Sequence, residues 1–337
     1  MGAKDSRVYL FDNLKAVLIT LVVFGHMLEQ LLGPGEEGST VAIYAFIYLF
    51  HMPLFAFCSG YMAKYNPRKI LTRLVVPYFL LQLLYILLER FVLGNDEIVL
   101  QFTTPYWMLW YLMALAGWTL LLPLLEVMTE NRRNMFLIIC LALVLGVAVG
   151  FENTVGRYMS LSRMIYFFPF FAIGFCIKKA GREETFRLVI SKWYGRGFAG
   201  VLSVFIGVWL AYNYADINVV WLYGGDPFLR LGSNYVIRSV IYIATFVTGF
   251  FLLTILPQRW CFFSYIGQRT MSVFLLHGFV DRLMGKYQVI DYFPEGVLRY
   301  LSLFACSMVV VFVFSLRPFS KFRKKAEMER VEGVQVP

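Results

Sequence analysis

The chain has 337 residues, of which 59% are hydrophobic and only 15% charged, with a mean hydropathy of +0.66. A soluble domain carries about a quarter charged residues, so an ordinary water-soluble fold is excluded and lipid must be the solvent for much of this surface. The net charge of +10 would suggest a nucleic-acid partner in a soluble protein; here it has to be read by position.

Taken in chain order, ten stretches are long and apolar enough to span a bilayer: roughly 14–33, 40–63, 74–94, 105–128, 135–151, 162–177, 197–213, 235–256, 264–281 and 296–316. The first is about 20 residues long, lacks a small-residue cleavage site after it, and carries Lys15, His26 and Glu29, so it reads as a retained helix and not as a signal peptide. The segment 217–232 (NVVWLYGGDPFLRLGS) reads as a loop, a re-entrant piece or an interfacial segment. No internal repeat is visible, and 317–337 is a polar basic tail. The expected architecture is all-α: one polytopic helical bundle occupying residues 1–337 as a single membrane-embedded domain. Cys58, Cys140, Cys176, Cys261 and Cys306 are scattered in apolar stretches and read as small buried residues, without metal spacing.

Lys and Arg placement sets the orientation. With the N-terminus in the cytoplasm, 23 of the 31 basic residues fall on the inner side, including Arg68, Lys69, Arg73 and the tail. Both termini are therefore expected in the cytoplasm of a multi-pass cell-membrane protein. The basic excess is mostly a topology signal and not a nucleic-acid footprint.

Ionisable groups inside spans are costly, by at least ~2.5 kcal/mol each, and so face a bundle interior and mark a functional path. His26 follows Lys15 by eleven residues, about 16 Å along a helix. Glu29 lies one turn beyond His26 on the same face, where it orients the imidazole and raises its basicity. His51 sits near mid-depth, followed by Pro53, which kinks a helix and frees backbone groups. Asp281 lies one turn after His277. By depth alone the three histidines can meet around one cavity, although each also has a plain reading as a helix–helix hydrogen bond. Their spacing does not suit a metal. Arg68, Lys69 and Arg73 are either topology anchors or a phosphate clamp. Arg163 either snorkels or lines the cavity. Trp107 and Trp110 are either belt anchors or a sugar-stacking platform.

These residues fall in an ordered pattern. Phe11-Asp12-Asn13-Leu14-Lys15 precedes Val23-Phe24-Gly25-His26. Phe50-His51-Met52-Pro53 leads to Ser59-Gly60-Tyr61, then to Arg73-Leu74-Val75-Val76-Pro77 and Leu109-Trp110-Tyr111-Leu112. Arg163 precedes Phe168-Pro169-Phe170-Phe171-Ala172-Ile173-Gly174. Tyr265-Ile266-Gly267-Gln268-Arg269-Thr270 precedes Phe274-Leu275-Leu276-His277. Each piece is weak alone, but together they resemble the acyltransferase-3 family of membrane acyltransferases, nearest the fucose 4-O-acetylase-like branch. The resemblance covers nearly the whole chain. It implies that His26 is catalytic and that Lys15 helps hold the acyl donor, with Asp12 in the same motif. It matches the family's Ser-Gly-aromatic motif to Ser59, Gly60 and Tyr61. The family's Arg-x-x-Arg motif is met by Arg73, but Ile70 stands at its first position, with Arg68 or Lys69 as substitutes.

The implied function is acyl transfer, acetyl preferred and succinyl open, from cytoplasmic acetyl-CoA to a hydroxyl of a cell-surface glycan or lipid-linked sugar. No bound cofactor or metal is expected; acyl-CoA is the donor substrate. A thioester needs positioning, a base and charge stabilisation. His26 is the expected base, Glu29 its orienter, and Asp12, Lys15, Arg68, Lys69 and Arg73 the donor side. His51, Ser59, Tyr61, Trp110, Arg163 and His277 are expected on the acceptor side or around the cavity. Direct transfer and an acyl-histidine intermediate both fit. The competing class is a transporter or flippase of an anionic or sugar-lipid substrate, which inverted repeats and broken helices would favour.

Overall fold

The computed structural model describes residues 8–33, 38–154, 156 and 158–316. Lys4, Arg7, Arg157 and the basic tail 317–337, on which part of the orientation argument rests, lie outside the described residues. Among the described residues every regular element is a helix. In chain order the α-helices are α1 (Tyr9–Glu29), α2 (Gly38–Met62), α3 (Pro67–Ile70), α4 (Val76–Leu87), α5 (Trp110–Leu120), α6 (Leu122–Met128), α7 (Arg132–Ala148), α8 (Leu161–Lys179), α9 (Glu183–Ser191), α10 (Trp193–Tyr212), α11 (Phe228–Leu231), α12 (Tyr235–Ile255), α13 (Phe262–Gly267), α14 (Thr270–Lys286) and α15 (Val297–Ser315).

Among the described residues, eight helices are long and apolar enough to cross a membrane: α1, α2, the continuous run Pro67–Leu93, Arg132–Phe151, Tyr158–Lys179, α10, α12 and α15. The pair Trp107–Leu120 and Leu122–Met128, bent by 46°, makes a ninth if it is one span. The ninth expected span, 264–281, is interrupted between α13 and α14. α14 has 17 residues and carries His277, Asp281, Arg282 and Lys286, so it is both shorter and less apolar than the others.

The chain divides into two compact units, residues 1–31 with 256–337, and residues 32–255. The first comprises α1 and α13 to α15. Its joint is Asn13, fully buried in α1. The Asn13 amide donates to the carbonyls of Pro257 (2.7 Å) and Arg259 (2.9 Å), and its oxygen accepts from Ser264 Oγ (2.6 Å) and Cys261 Sγ (3.2 Å). These bonds satisfy backbone that the break before α13 leaves without helical partners. Gly267 ends α13 against α1: a Cβ there would lie 1.7 Å from the Asp12 carbonyl oxygen. Phe24 of α1 meets Phe304 of α15 edge-on at 5.4 Å.

In the second unit α2 and α8 approach through two glycines. A Cβ on Gly60 would lie 1.9 Å from the Phe171 carbonyl oxygen, and one on Gly174 would lie 2.1 Å from that of Phe57. Small residues bring spanning helices this close, so both motif glycines have a packing cause. Pro53 inside α2 has no N–H for the Leu49 carbonyl four residues earlier; Thr245 Oγ of α12 donates to that oxygen instead, at 2.7 Å. The run Pro67–Leu93 contains two π-helical turns, Leu71–Val75 and Leu88–Leu93. The first lies just before Pro77, whose ring disfavours a normal preceding turn. The segment 217–232 is a folded-in loop: a short turn at Val219–Tyr223, then Gly224 to Pro227 buried, then α11. Gly224 takes φ +63, and a Cβ there would strike the Tyr166 ring.

Candidate functional site

The first unit assembles His26, Glu29, Gln30, His277 and Asp281. α1 presents His26 with only 9% of its surface exposed. Its Nδ1 lies 3.2 Å from Glu29 Oε2, one turn on, as the spacing predicts. That bond directs Nε2 away from the carboxylate and fixes the ring. The ring stacks on that of His277 of α14, with centroids 5.4 Å apart and planes 24° from parallel. His277 is 1% exposed, and its Nδ1 donates to the Val273 carbonyl at 2.9 Å. One turn further, buried Asp281 accepts from Gln30 Nε2 at 2.7 Å, and the same nitrogen also donates to the Asp281 carbonyl at 3.0 Å. Two carboxylates therefore flank two stacked imidazoles, with a glutamine tying α1 to α14. Such an arrangement can take up and return a proton at His26 while holding the ring still.

At the N-terminal end of α1, Lys15 Nζ pairs with the buried Asp12 carboxylate at 3.1 Å. Asp12 thus sets the position of the lysine and offsets its charge.

In the second unit the expected residues fall into separate groups. Arg68 and Lys69 are exposed and Arg73 half-buried, whereas Ile70 is 4% exposed in the apolar interior. The residue at the family's first arginine position therefore faces the core. Lys69 and Arg73, four apart on either side of the start of the first π turn, share a helix face, and Lys69 is the natural partner of Arg73. Ser59 Oγ and the Tyr111 hydroxyl are 2.7 Å apart. Tyr61 is buried with Lys178 over its ring at 5.4 Å. Trp110 is buried, stacked on Phe167 at 5.0 Å, with the Arg163 guanidinium 5.4 Å from its ring. A Cβ on Gly225 would lie 2.9 Å from Arg163 Nε, so the 217–232 loop covers that arginine. Trp110 is therefore neither a belt anchor nor an open platform. His51 is 2% exposed; its Nδ1 donates to the Ile47 carbonyl at 2.9 Å and its ring meets Tyr48 edge-on at 4.5 Å.

Two polar systems were not singled out from the sequence. Tyr78, Gln82, Tyr85 and Glu89 line one buried face of the third span and hold residues 95–106. Tyr78 donates to the Phe102 carbonyl (2.6 Å), Gln82 bonds the Gln101 and Thr104 carbonyls and the Tyr106 N–H, and Glu89 accepts from Tyr106 and Asn95. Their spacing of 4, 3 and 4 is a helical polar stripe, and that was the available signal. The second is Arg238, 3% exposed in α12. It donates to the Asp226 and Gly146 carbonyls at 3.3 and 3.4 Å and lies over the Phe228 ring at 4.5 Å.

A family profile described as an acyltransferase domain, the acyltransferase-3 type, matches residues 8–316. The chain is 26% identical over 312 residues to the nodulation protein NolL of Mesorhizobium japonicum, covering 84% of this chain and 79% of that one. It is 41% identical over 61 residues to NolL of Sinorhizobium fredii, covering 18% and 17%. No solved structure matches it significantly.

Proposed function

The chain belongs to the acyltransferase-3 family and is a multi-pass membrane acyltransferase; on that premise we propose that it moves an acetyl group from acetyl-CoA to a hydroxyl of a cell-surface glycan or lipid-linked sugar, with His26 as the general base. The observation that carries this reading is the bond at 3.2 Å between the nearly buried His26 and the partly exposed Glu29, in the first span beside a second imidazole. Glu29 accepts the Nδ1–H, so Nε2 holds the lone pair. Nε2 takes the proton of the acceptor hydroxyl as its oxygen attacks the thioester carbonyl. The tetrahedral intermediate collapses, the C–S bond breaks, and the imidazolium returns the proton to the departing thiolate. Glu29 stabilises the imidazolium while it exists.

The cations offered to the phosphates of the donor are Lys15, held by Asp12, the exposed Arg68 and Lys69, and the half-buried Arg73. The distribution of Lys and Arg supports an orientation with both ends in the cytoplasm of the cell membrane, where acetyl-CoA is available. Ser59, Tyr61, Trp110, Arg163 and His51 order the second unit's interior and are assigned to shaping the acceptor side.

The test is His26→Ala in membranes supplied with labelled acetyl-CoA. Transfer of label to the envelope fraction is expected to vanish at normal expression; retained transfer would sink the assignment. Mass spectrometry of the surface polysaccharide from a strain lacking the chain identifies the acceptor.

A further inference from the structure

His277 has a feature that acyl transfer by His26 does not use. Its Nδ1 bonds the Val273 carbonyl, and a carbonyl oxygen only accepts, so Nδ1 carries the proton. Nε2 is then a bare acceptor. It is fully buried and has no hydrogen-bond partner among the described residues. A buried polar atom of this kind is costly unless a ligand group meets it. It belongs to a ring stacked 5.4 Å from His26, and a hydrogen bond spans about 2.8 Å. Two donors on neighbouring atoms of one molecule therefore suit the two imidazoles together.

We propose that His277 Nε2 accepts a hydrogen bond from a second hydroxyl of the acceptor, adjacent to the one that His26 deprotonates, so that this site takes a vicinal diol of a sugar ring. This rests on the reading of His26 as the base. His277 keeps its own proton on Nδ1 and exchanges none; it reads the neighbouring hydroxyl and sets the attack angle of the first. A site built to bond a hydroxyl rejects the analogue that lacks it strongly, because its own polar group is left unpaired.

Binding tests this apart from chemistry. The full chain in detergent is melted with a panel of methyl hexopyranosides carrying vicinal diols and with their monodeoxy counterparts. At least one diol sugar is expected to raise the melting temperature of the wild type, and removing either hydroxyl of its diol to weaken binding at least tenfold. His277→Leu should bind the diol sugar and the deoxy sugar lacking the hydroxyl read by His277 equally weakly. His277→Gln, which keeps an accepting oxygen, should recover part of the preference. A preference that survives in His277→Leu, or a panel in which no sugar shifts the wild type, overturns the proposal. A second arm measures release of CoA from acetyl-CoA. Its absence in a wild type that still prefers the diol refutes the acetyl-CoA reading and leaves the diol assignment standing.

Discussion

Replacing Glu29 with Gln removes one charge and little else. The amide oxygen can still accept from His26 Nδ1, so the ring keeps its orientation while the imidazolium loses its counter-charge. At the observed 3.2 Å, two unit charges attract by about 1 kcal/mol in water-like surroundings and about 5 kcal/mol at an effective dielectric near 20. The Glu29 side chain is 37% exposed, which places the pair toward the screened end, at about 1–2 kcal/mol. With about 1.4 kcal/mol per factor of ten, kcat should fall about 5- to 30-fold. The KM for acetyl-CoA should not change, because the charge matters only once the imidazolium forms. The assay follows CoA thiol release by purified protein in detergent, with melting temperature as a control for folding. An unchanged kcat refutes the dyad. A loss above a thousandfold accompanied by a lower melting temperature shows that Glu29 holds α1 in place instead of serving the imidazole.

Gly60→Ala would drive a methyl to 1.9 Å from a backbone oxygen, which no rotamer change relieves; a loss of at least about 1–3 kcal/mol in thermal or denaturant unfolding is expected. An unaltered melting curve would show that the motif glycine is there for another reason. Ile70→Arg restores the family's arginine but buries a charge at a 4%-exposed site. It should lower folded yield without lowering the KM for acetyl-CoA, and a tighter KM would place the donor at residue 70.

The local pairs were legible and the tertiary ones were not. The bond between His26 and Glu29 follows from helical spacing alone. That His26 stacks on His277 does not, because α1 and α14 stand at opposite ends of the chain and nothing in either segment encodes the other. The long apolar helices were visible by composition, whereas the stretch 264–281 is broken between α13 and α14 and carries buried polar residues that its mean hydropathy does not reveal. Ile70 shows the reverse limit: a motif position can be read from order in the chain, but its burial depends on the turn in which it falls. Gln30 and Asn13 were missed because amides carry no charge to mark them, although each ties α1 to the end of the chain.

Asn13 also fixes an order of events. Its four partners lie 244 to 251 residues further along, and so do those of Gln30. At synthesis rates of about 5–20 residues per second, the first helix waits roughly 12–50 seconds in the bilayer before the groups that complete it are made. Through that interval His26 and Glu29 are present without His277 and Asp281. A chain stopped just before α14 has most of its helices and yet lacks both His277 and Asp281. The cluster of His26, Glu29, His277 and Asp281 is therefore complete only once the last fifth of the chain has been made.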